Sequence, residues 1–537
     1  MPVKRPATRR MPLAERRVAL RALQAGAIAV VLATAPYKTF ELDRFFVPKE
    51  VLLSVTAGVV TLLCIARAKR LSLSRADEAL ALWLVLGLAS SLFATNWWLA
   101  GRAVGVSLCG VACFWCARTL TRAGHSRALV AGLALAGVVG AVTALLQAYG
   151  VTSEFVSLNR APGGTFGNRN FMAHLCAITL PALLFSGVRA PSRAALQRWC
   201  GGIALVAAAL ILSRSRAAWL ALLVGLAVMF VAGIIAMRRS DGTVRARRLL
   251  LLLVAAIAGG GAALVIPNTL DWKSDSPYAD TAHSMVNYKA GSGHGRLIQY
   301  GNSLGMTLRH PLLGVGPGNW PVVYPRFASA NDPSLGQDGM TANPWASSDW
   351  VTFLAERGPV AFALLAVAML ALVVDGVRGV AGAQGTEAQY GSAVFLATLV
   401  IVVIAGAFDA VLLLPIPALI AWSLLGALAP PSRERRVIEV SAPRRVLALA
   451  TIFALAGVIV LRSTAQLMAM SLYATSSRAT SLERASTMDP GSYRIHARLA
   501  QLYLGRGDCR HARPHATAAR QLFPSSPAAR RLSASCG

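Results

Sequence analysis

Three arginines and two carboxylates stand where chemistry at a membrane surface could be done. Arg214 and Arg216 lie two residues apart in LILSRSRAAWLALL, between two apolar runs, and Arg296 opens the segment GRLIQYGNSLGMTLRHP. A guanidinium stays charged and binds phosphate oxygens through paired hydrogen bonds, so fixed arginines at this position suit a phosphorylated substrate. Snorkelling to lipid phosphates is the other reading of Arg214 and Arg216. Asp349 and Glu356 lie in SSDWVTFLAERG, where the chain turns apolar again after a long polar passage. Asp349 is a candidate for activating or orienting a hydroxyl, and equally a helix N-cap. Glu356 is read as a second acid or as a helix-end residue.

Four further groups surround these. Asn168 and Asn170, in GGTFGNRNF, are substrate hydrogen-bonders or turn formers, and His174 follows a few residues into the next apolar run. His174 is read as an interior histidine or a substrate-positioning group. Gly314, Gly316 and Gly318, with Pro317 among them, force an irregular turn after His310-Pro311. Such a turn can bring backbone amides of Gly316 and Gly318 up to a phosphate or sugar. His283, His294 and His310 lack metal-ligand spacing, and no Walker pattern occurs, so neither a metal nor a cofactor is expected.

These residues need a scaffold, and composition names it. The 537 residues are 55% hydrophobic and 14% charged, with a mean hydropathy of +0.55. That excludes an ordinary soluble domain and points to an all-α, polytopic helical membrane protein. Apolar runs near 18–36, 51–66, 79–95, 99–117, 128–149, 171–188, 201–213, 217–237, 249–266, 358–375, 391–408, 411–429 and 446–462 make about 12–13 spans. The formal charge of +30 comes largely from short basic clusters between runs, such as Arg67-Lys69-Arg70, Arg238-Arg239 and Arg433-Arg435-Arg436. Positive-inside topology accounts for these clusters, so nucleic acid is not expected as a partner. With the N-terminus inside, alternation puts a large loop at 267–350 and the tail after Arg462 outside. The expected organisation is a disordered basic leader (1–17), a membrane domain (18–462) and a tail (463–537).

Cys113 and Cys116 form a CxxC inside an apolar run, where burial is the expected role. Cys509 and Cys536 are candidates for a disulfide if the tail is periplasmic. In that tail, Leu499, Ala500, Tyr503, Gly507, Ala512, Ala519 and Pro524 fall at the spacings of a tetratricopeptide repeat, which the segment resembles over about one and a half repeats. One repeat buries too little to fold alone, so packing on the last span or on a partner is expected. Its arginines suit a solvated face, or docking to an anionic glycan, lipid or acidic assembly protein.

Three blocks then line up in order: GGTFGNRNF at 163–171, SRSR at 213–216, and Arg296 followed by HPLLGVGPGN and SSDWVTFLAERG. The arrangement resembles the O-antigen ligase and O-antigen polymerase superfamily of bacterial membrane glycosyltransferases. The resemblance implies about a dozen helices in the inner membrane and a periplasmic loop between the ninth and tenth. It implies transfer of a glycan from an undecaprenyl-diphosphate carrier to an acceptor hydroxyl, metal-independent and inverting, with Arg214, Arg216 and Arg296 matching the functional arginines. The ligases carry a histidine two residues before the aspartate. This chain has Ser347 there, which favours a polysaccharide polymerase over an O-antigen ligase. A protein O-oligosaccharyltransferase, a lipid-linked oligosaccharide flippase and an inert assembly scaffold are the alternatives.

Overall fold

The computed structural model describes residues 13–38, 42–156, 162–239, 246–272, 274–283, 291–336, 339–382 and 386–535. Every expected apolar run is helical. In chain order the helices are α1 Leu13–Leu32, α2 Asp43–Ile65, α3 Arg75–Ser91, α4 Trp97–Leu120, α5 Ser126–Ala148, α6 Arg169–Val188, α7 Arg193–Ser213, α8 Arg216–Arg239 and α9 Ala246–Val265. Loop helices α10 Pro277–His283, α11 Gly291–Arg309 and α12 Trp320–Val323 follow, then α13 Asp349–Gly382, α14 Thr386–Phe408, α15 Pro415–Leu428 and α16 Ala442–Thr475. The tail holds α17 Ala479–Met488, α18 Tyr493–Leu504, α19 Cys509–Leu522 and α20 Pro527–Ala534.

Among the described residues, nine helical stretches are long and apolar enough to cross a membrane, one of them α4 and α5 joined across a kink at Gly124. The protein is therefore an all-α polytopic membrane protein. Three of the thirteen expected spans fall outside that set: α3 and α15 are short, and α1 carries four charges near its start. α1 also begins at Leu13, inside the leader expected to be disordered, because Leu-Ala-Glu-Arg-Arg are strong helix formers continuous with the apolar run. The rest of that leader lies outside the described residues.

Helix α6 is the centre of the bundle, buried without a break from Phe171 to Leu184. α15 is buried along its whole length. Around them α8 packs on α14, α7 on α9, α4 on α15, α3 on α13 and α2 on α16. Two ion-paired clusters are buried inside the bundle. Asp77, in a capping box with Ser74, takes Arg118 Nη2 at 2.7 Å and Trp115 Nε1 at 2.9 Å. Arg102 of α4 joins Glu50 and Asp43 of α2 at 2.8 and 3.1 Å. Leaving either partner alone in such a site would cost several kcal/mol, so these pairs fix which helices neighbour each other.

The loop and tail build a second layer on one face of the bundle. Met306, Val315, Trp320, Val322, Tyr324, Ala346 and Ala355 form its core, with Phe523 from the tail packed against it. The expected support for the tail is present: Leu482, Ala485, Ile495 and Leu499 pack on Ala469 of α16. α16 runs unbroken to Thr475, past the point where the tail was expected to begin at 463. The tail also reaches the loop, Arg326 Nε donating to Ser525 Oγ at 3.1 Å, and it reaches α4, Asn96 Nδ2 donating to the Gly491 carbonyl at 3.3 Å. Cys113 and Cys116 are buried and unbridged, as expected. Cys509 is disulfide-bonded; its expected partner, Cys536, lies outside the described residues.

Candidate active site on the loop face of the bundle

Arg214 ends α7 in the left-handed region, φ 51°, the one non-glycine residue with positive φ among those described. A side chain there costs roughly 1–2 kcal/mol, which glycine would avoid. Strain of this kind persists where the surroundings hold it and the side chain is needed. The Arg214 guanidinium lies 4.5 Å from the ring centre of Trp272, and its Nε donates to Thr281 Oγ1 at 2.9 Å. Burial lowers its pKa below the ordinary guanidinium range, while the nearby Tyr278 and Asp280 oppose that shift.

The same indole ring receives a second guanidinium. Arg169, the first residue of α6, lies 5.6 Å from the Trp272 ring centre, and the charges of both Arg214 and Arg216 act on it. Three like charges are thus gathered at the junction of α6, α7 and α8. Asp280 acts on Arg214, and a guanidinium cluster of this kind suits an anion with several oxygens to share.

Arg296 reaches the loop face on a different element. Tyr300, one turn later on the same side of α11, donates through its hydroxyl to the carbonyls of Ser347 at 2.7 Å and Ala407 at 3.0 Å. This ties α11 to the ends of α13 and α14. Arg296 itself is half-buried and makes no hydrogen bond or ion pair among the described residues. The structure brings Arg214 and Arg216 together with Arg169; no described contact joins Arg296 to them.

Both acids are buried and accept backbone amides. Asp349 is fully buried, and its carboxylate accepts the amides of Val411, Leu412 and Leu413 at 2.8 to 3.2 Å. Both oxygens are engaged, so Asp349 shapes the α14–α15 connection instead of facing a hydroxyl. Ser348 Oγ, not Asp349, takes the amide of Val351 at the start of α13. Glu356 is buried as well, its Oε1 accepting the Trp320 amide at 3.1 Å.

The glycine turn is closed too. Gly314, Gly316 and Gly318 all have positive φ. A Cβ on Gly316 would lie 2.5 Å from Ala94 Cβ, and one on Gly318 would lie 2.7 Å from the Leu99 carbonyl oxygen. The Gly316 amide donates to the Glu356 carbonyl at 2.9 Å, so the turn expected to offer amides to substrate is a packing seam between loop and bundle. Asn168 caps α6, its side chain accepting the Asn170 amide at 2.8 Å. The Asn170 side chain, half-buried beside Arg169, makes no hydrogen bond among the described residues.

Asp409 is the residue that local pattern reasoning missed. It ends α14, holds the Ala410 amide on Oδ1 at 2.9 Å, and presents Oδ2 to His174 Nε2 at 3.5 Å. His174 is wholly enclosed and neither ring nitrogen has a hydrogen-bond partner, whereas the Asp409 side chain is 10% exposed. His174 follows Arg169 by five residues on α6, about 8 Å along the axis and about 140° around it. A lone carboxylate between two apolar runs was its signal in the sequence. Arg169, between Asn168 and Asn170 in GGTFGNRNF, was assigned no role from the sequence, and Trp272 carried no local signal.

An arginine cluster and a separate acid on one face of a membrane bundle are parts for handling a phosphorylated lipid substrate and a hydroxyl. No curated protein matches the chain. Residues 201–366, which include Arg214, Arg216, Arg296, Asp349 and Glu356, match the family described as O-antigen ligase. Over that stretch the chain is similar to the O-antigen ligase family.

Proposed function

We propose that this protein moves a glycan from an undecaprenyl-diphosphate carrier to an acceptor hydroxyl at the periplasmic face of the bacterial inner membrane. The departing group is the lipid diphosphate, on which negative charge grows as the glycosidic bond breaks. Arg169, Arg214 and Arg216 supply fixed positive charge for it, oriented before the reaction begins, which is the largest source of catalysis at such centres. Arg296, half-buried and without a partner among the described residues, is available to the second phosphate or to the glycan. Because the arginines provide the charge directly, the reading is metal-independent.

The acceptor hydroxyl needs a base and a line of approach opposite the leaving group. Asp409 takes the part first expected of Asp349. Its side chain is partly exposed, the Ala410 amide holds Oδ1, and Oδ2 lies toward His174. Displacement from the side opposite the diphosphate inverts the anomeric centre. Asn170, next to Arg169 in the chain, is the proposed hydrogen-bonder of the glycan.

The observation that carries this reading is the approach of Arg169 and Arg214 to one tryptophan, with Arg216 in electrostatic reach. Deleting the gene and analysing surface glycans tests it. Short oligomers on the usual anchor indicate a polymerase, long chains left on the carrier indicate a ligase, and unchanged glycans contradict both. Ser347, where the ligases have histidine, favours the polymerase: its backbone is held by Tyr300 and Gln299, and its side chain replaces the imidazole.

A further inference from the structure

At the end of the bundle away from the loop, a two-stranded ribbon joins the foot of α2 to the start of α16. Strands β1 Arg70–Leu73 and β2 Arg436–Glu439 pair antiparallel, with Leu71 opposite Ile438 and Arg70 opposite Glu439. The Val440 amide donates to the Lys69 carbonyl at 2.9 Å and the Arg435 amide to the Leu73 carbonyl at 2.8 Å, extending the ladder at both ends. An open groove of about 640 Å³ lies against it, lined by Lys69, Arg70, Arg444 and Arg445, with Glu439 as its one carboxylate.

The charges in this groove do not balance. Glu439 pairs with Arg70 at 3.2 Å. Lys69 makes no ion pair among the described residues, Arg444 reaches only the Glu439 carbonyl at 3.4 Å, and the Nε of Arg445 is enclosed with no partner. Three cations from two elements therefore face one space without an ion pair among the described residues, its one carboxylate, Glu439, being taken by Arg70.

Apolar side chains adjoining the groove's residues in the chain are uncovered. Leu71 and Ile438, which share a face of the ribbon, are 37% and 41% exposed. A two-stranded ribbon is marginal in water and needs an apolar cover. On α16, Val446 and Phe453 share a face, being seven residues apart, and are 66% and 70% exposed. Cations above a descending apolar wall match a phospholipid: phosphate at the top, acyl chains below. Net positive charge favours an anionic headgroup over a zwitterionic one, whose ammonium would be repelled. Near a bilayer surface each basic residue contributes about 1 kcal/mol toward anionic lipid.

We propose that this groove binds one anionic phospholipid of the surrounding bilayer, with its phosphate among Lys69, Arg444 and Arg445 and its chains along Val446 and Phe453. The ribbon fixes the cations relative to one another, so the site holds a single lipid in place and is not just a diffuse basic surface. The lipid would anchor the foot of α16, whose other end carries the tail.

The test is native mass spectrometry of the full chain, purified and exchanged into mixed phosphatidylglycerol and phosphatidylethanolamine bilayers. The expected result is one retained phosphatidylglycerol per chain, with phosphatidylethanolamine retained about tenfold less. The variant Lys69→Gln/Arg444→Gln/Arg445→Gln should lose that lipid, and Arg193→Gln/Arg198→Gln, at another basic turn, should keep it. Thermal unfolding checks the fold of each variant, and Arg445→Gln alone serves if the triple variant does not fold. Equal retention of the two lipids, retention by the folded variant, or equal loss in the control overturns the proposal. Full displacement of the lipid by excess inorganic phosphate also overturns it, because the groove would then read free phosphate.

Discussion

Asp409 Oδ2 lies 3.5 Å from Nε2 of His174, and the two face each other where α14 ends against the central helix α6. The histidine is sealed from solvent and the aspartate is not. If this carboxylate takes the acceptor proton, Asp409→Asn should slow transfer by about 10²–10⁴-fold while leaving the protein inserted and abundant. If His174 positions Asp409, His174→Gln should lower the rate of transfer more than it lowers binding of the carrier. Rates measured on purified protein with lipid-linked glycan check both. An Asp409→Asn rate near that of the unsubstituted protein would remove it as the base.

Asp349 should behave in the opposite way. Its carboxylate satisfies three amides of the α14–α15 connection, and removing it leaves buried donors without acceptors, at about 1–3 kcal/mol each. Asp349→Ala should therefore lower the unfolding temperature and the yield, with residual transfer following the folded fraction. Full stability with abolished transfer would return Asp349 to the chemistry.

Arg214 separates strain from function. Its positive φ suits glycine, so Arg214→Gly should leave the fold as stable or more stable by about 1 kcal/mol, yet abolish transfer. Arg214→Lys keeps the charge but loses the planar fork and should recover only part of the activity. Thermal unfolding and a transfer assay on the same samples decide this. A glycine variant that still transfers would contradict the assigned role.

Gly316 should tolerate no side chain. With φ 96° and Ala94 2.5 Å from any added Cβ, Gly316→Ala must move the loop off the bundle. Expression and unfolding temperature should both fall; an undisturbed Gly316→Ala protein would show that the seam is loose.

The tail should weaken in acid. His496 lies with its Nδ1 3.0 Å from that of His515, which in turn meets Glu483 at 2.9 Å. Burial, with the neighbouring His515 adding to it, holds His496 below the usual 6.5. A depressed histidine pKa means the unfolded chain binds more protons at low pH, so its contribution is complete above 6.5 and is lost as pH falls below that value. Limited proteolysis should cut the tail faster at about pH 5.5 than at about pH 7.5, and His496→Gln should flatten the difference. Equal cutting of the unsubstituted protein at both values would contradict this.

Much of the scaffold was legible because its signal is local. Thirteen apolar runs became thirteen helices, since length and hydropathy decide helix formation in lipid. Arg214 and Arg216 were legible as charges in an apolar setting. What escaped was pairing across the sequence. Nothing near Asp349 says that residues 411–413 will supply its donors, and nothing near Trp272 says that Arg169 and Arg214 will both approach it. The glycines of 314–318 announced a turn; what would face that turn, Ala94 and Leu99, depends on tertiary packing.

The account rests on the three guanidinium groups at the α6–α7–α8 junction holding a lipid diphosphate, and binding of that lipid measures it most directly. Undecaprenyl diphosphate and undecaprenyl monophosphate are titrated onto the purified protein in nanodiscs. The account predicts a clear preference for the diphosphate, lost by about tenfold or more in Arg169→Ala and in Arg214→Ala. Unchanged diphosphate affinity in either folded variant would contradict it.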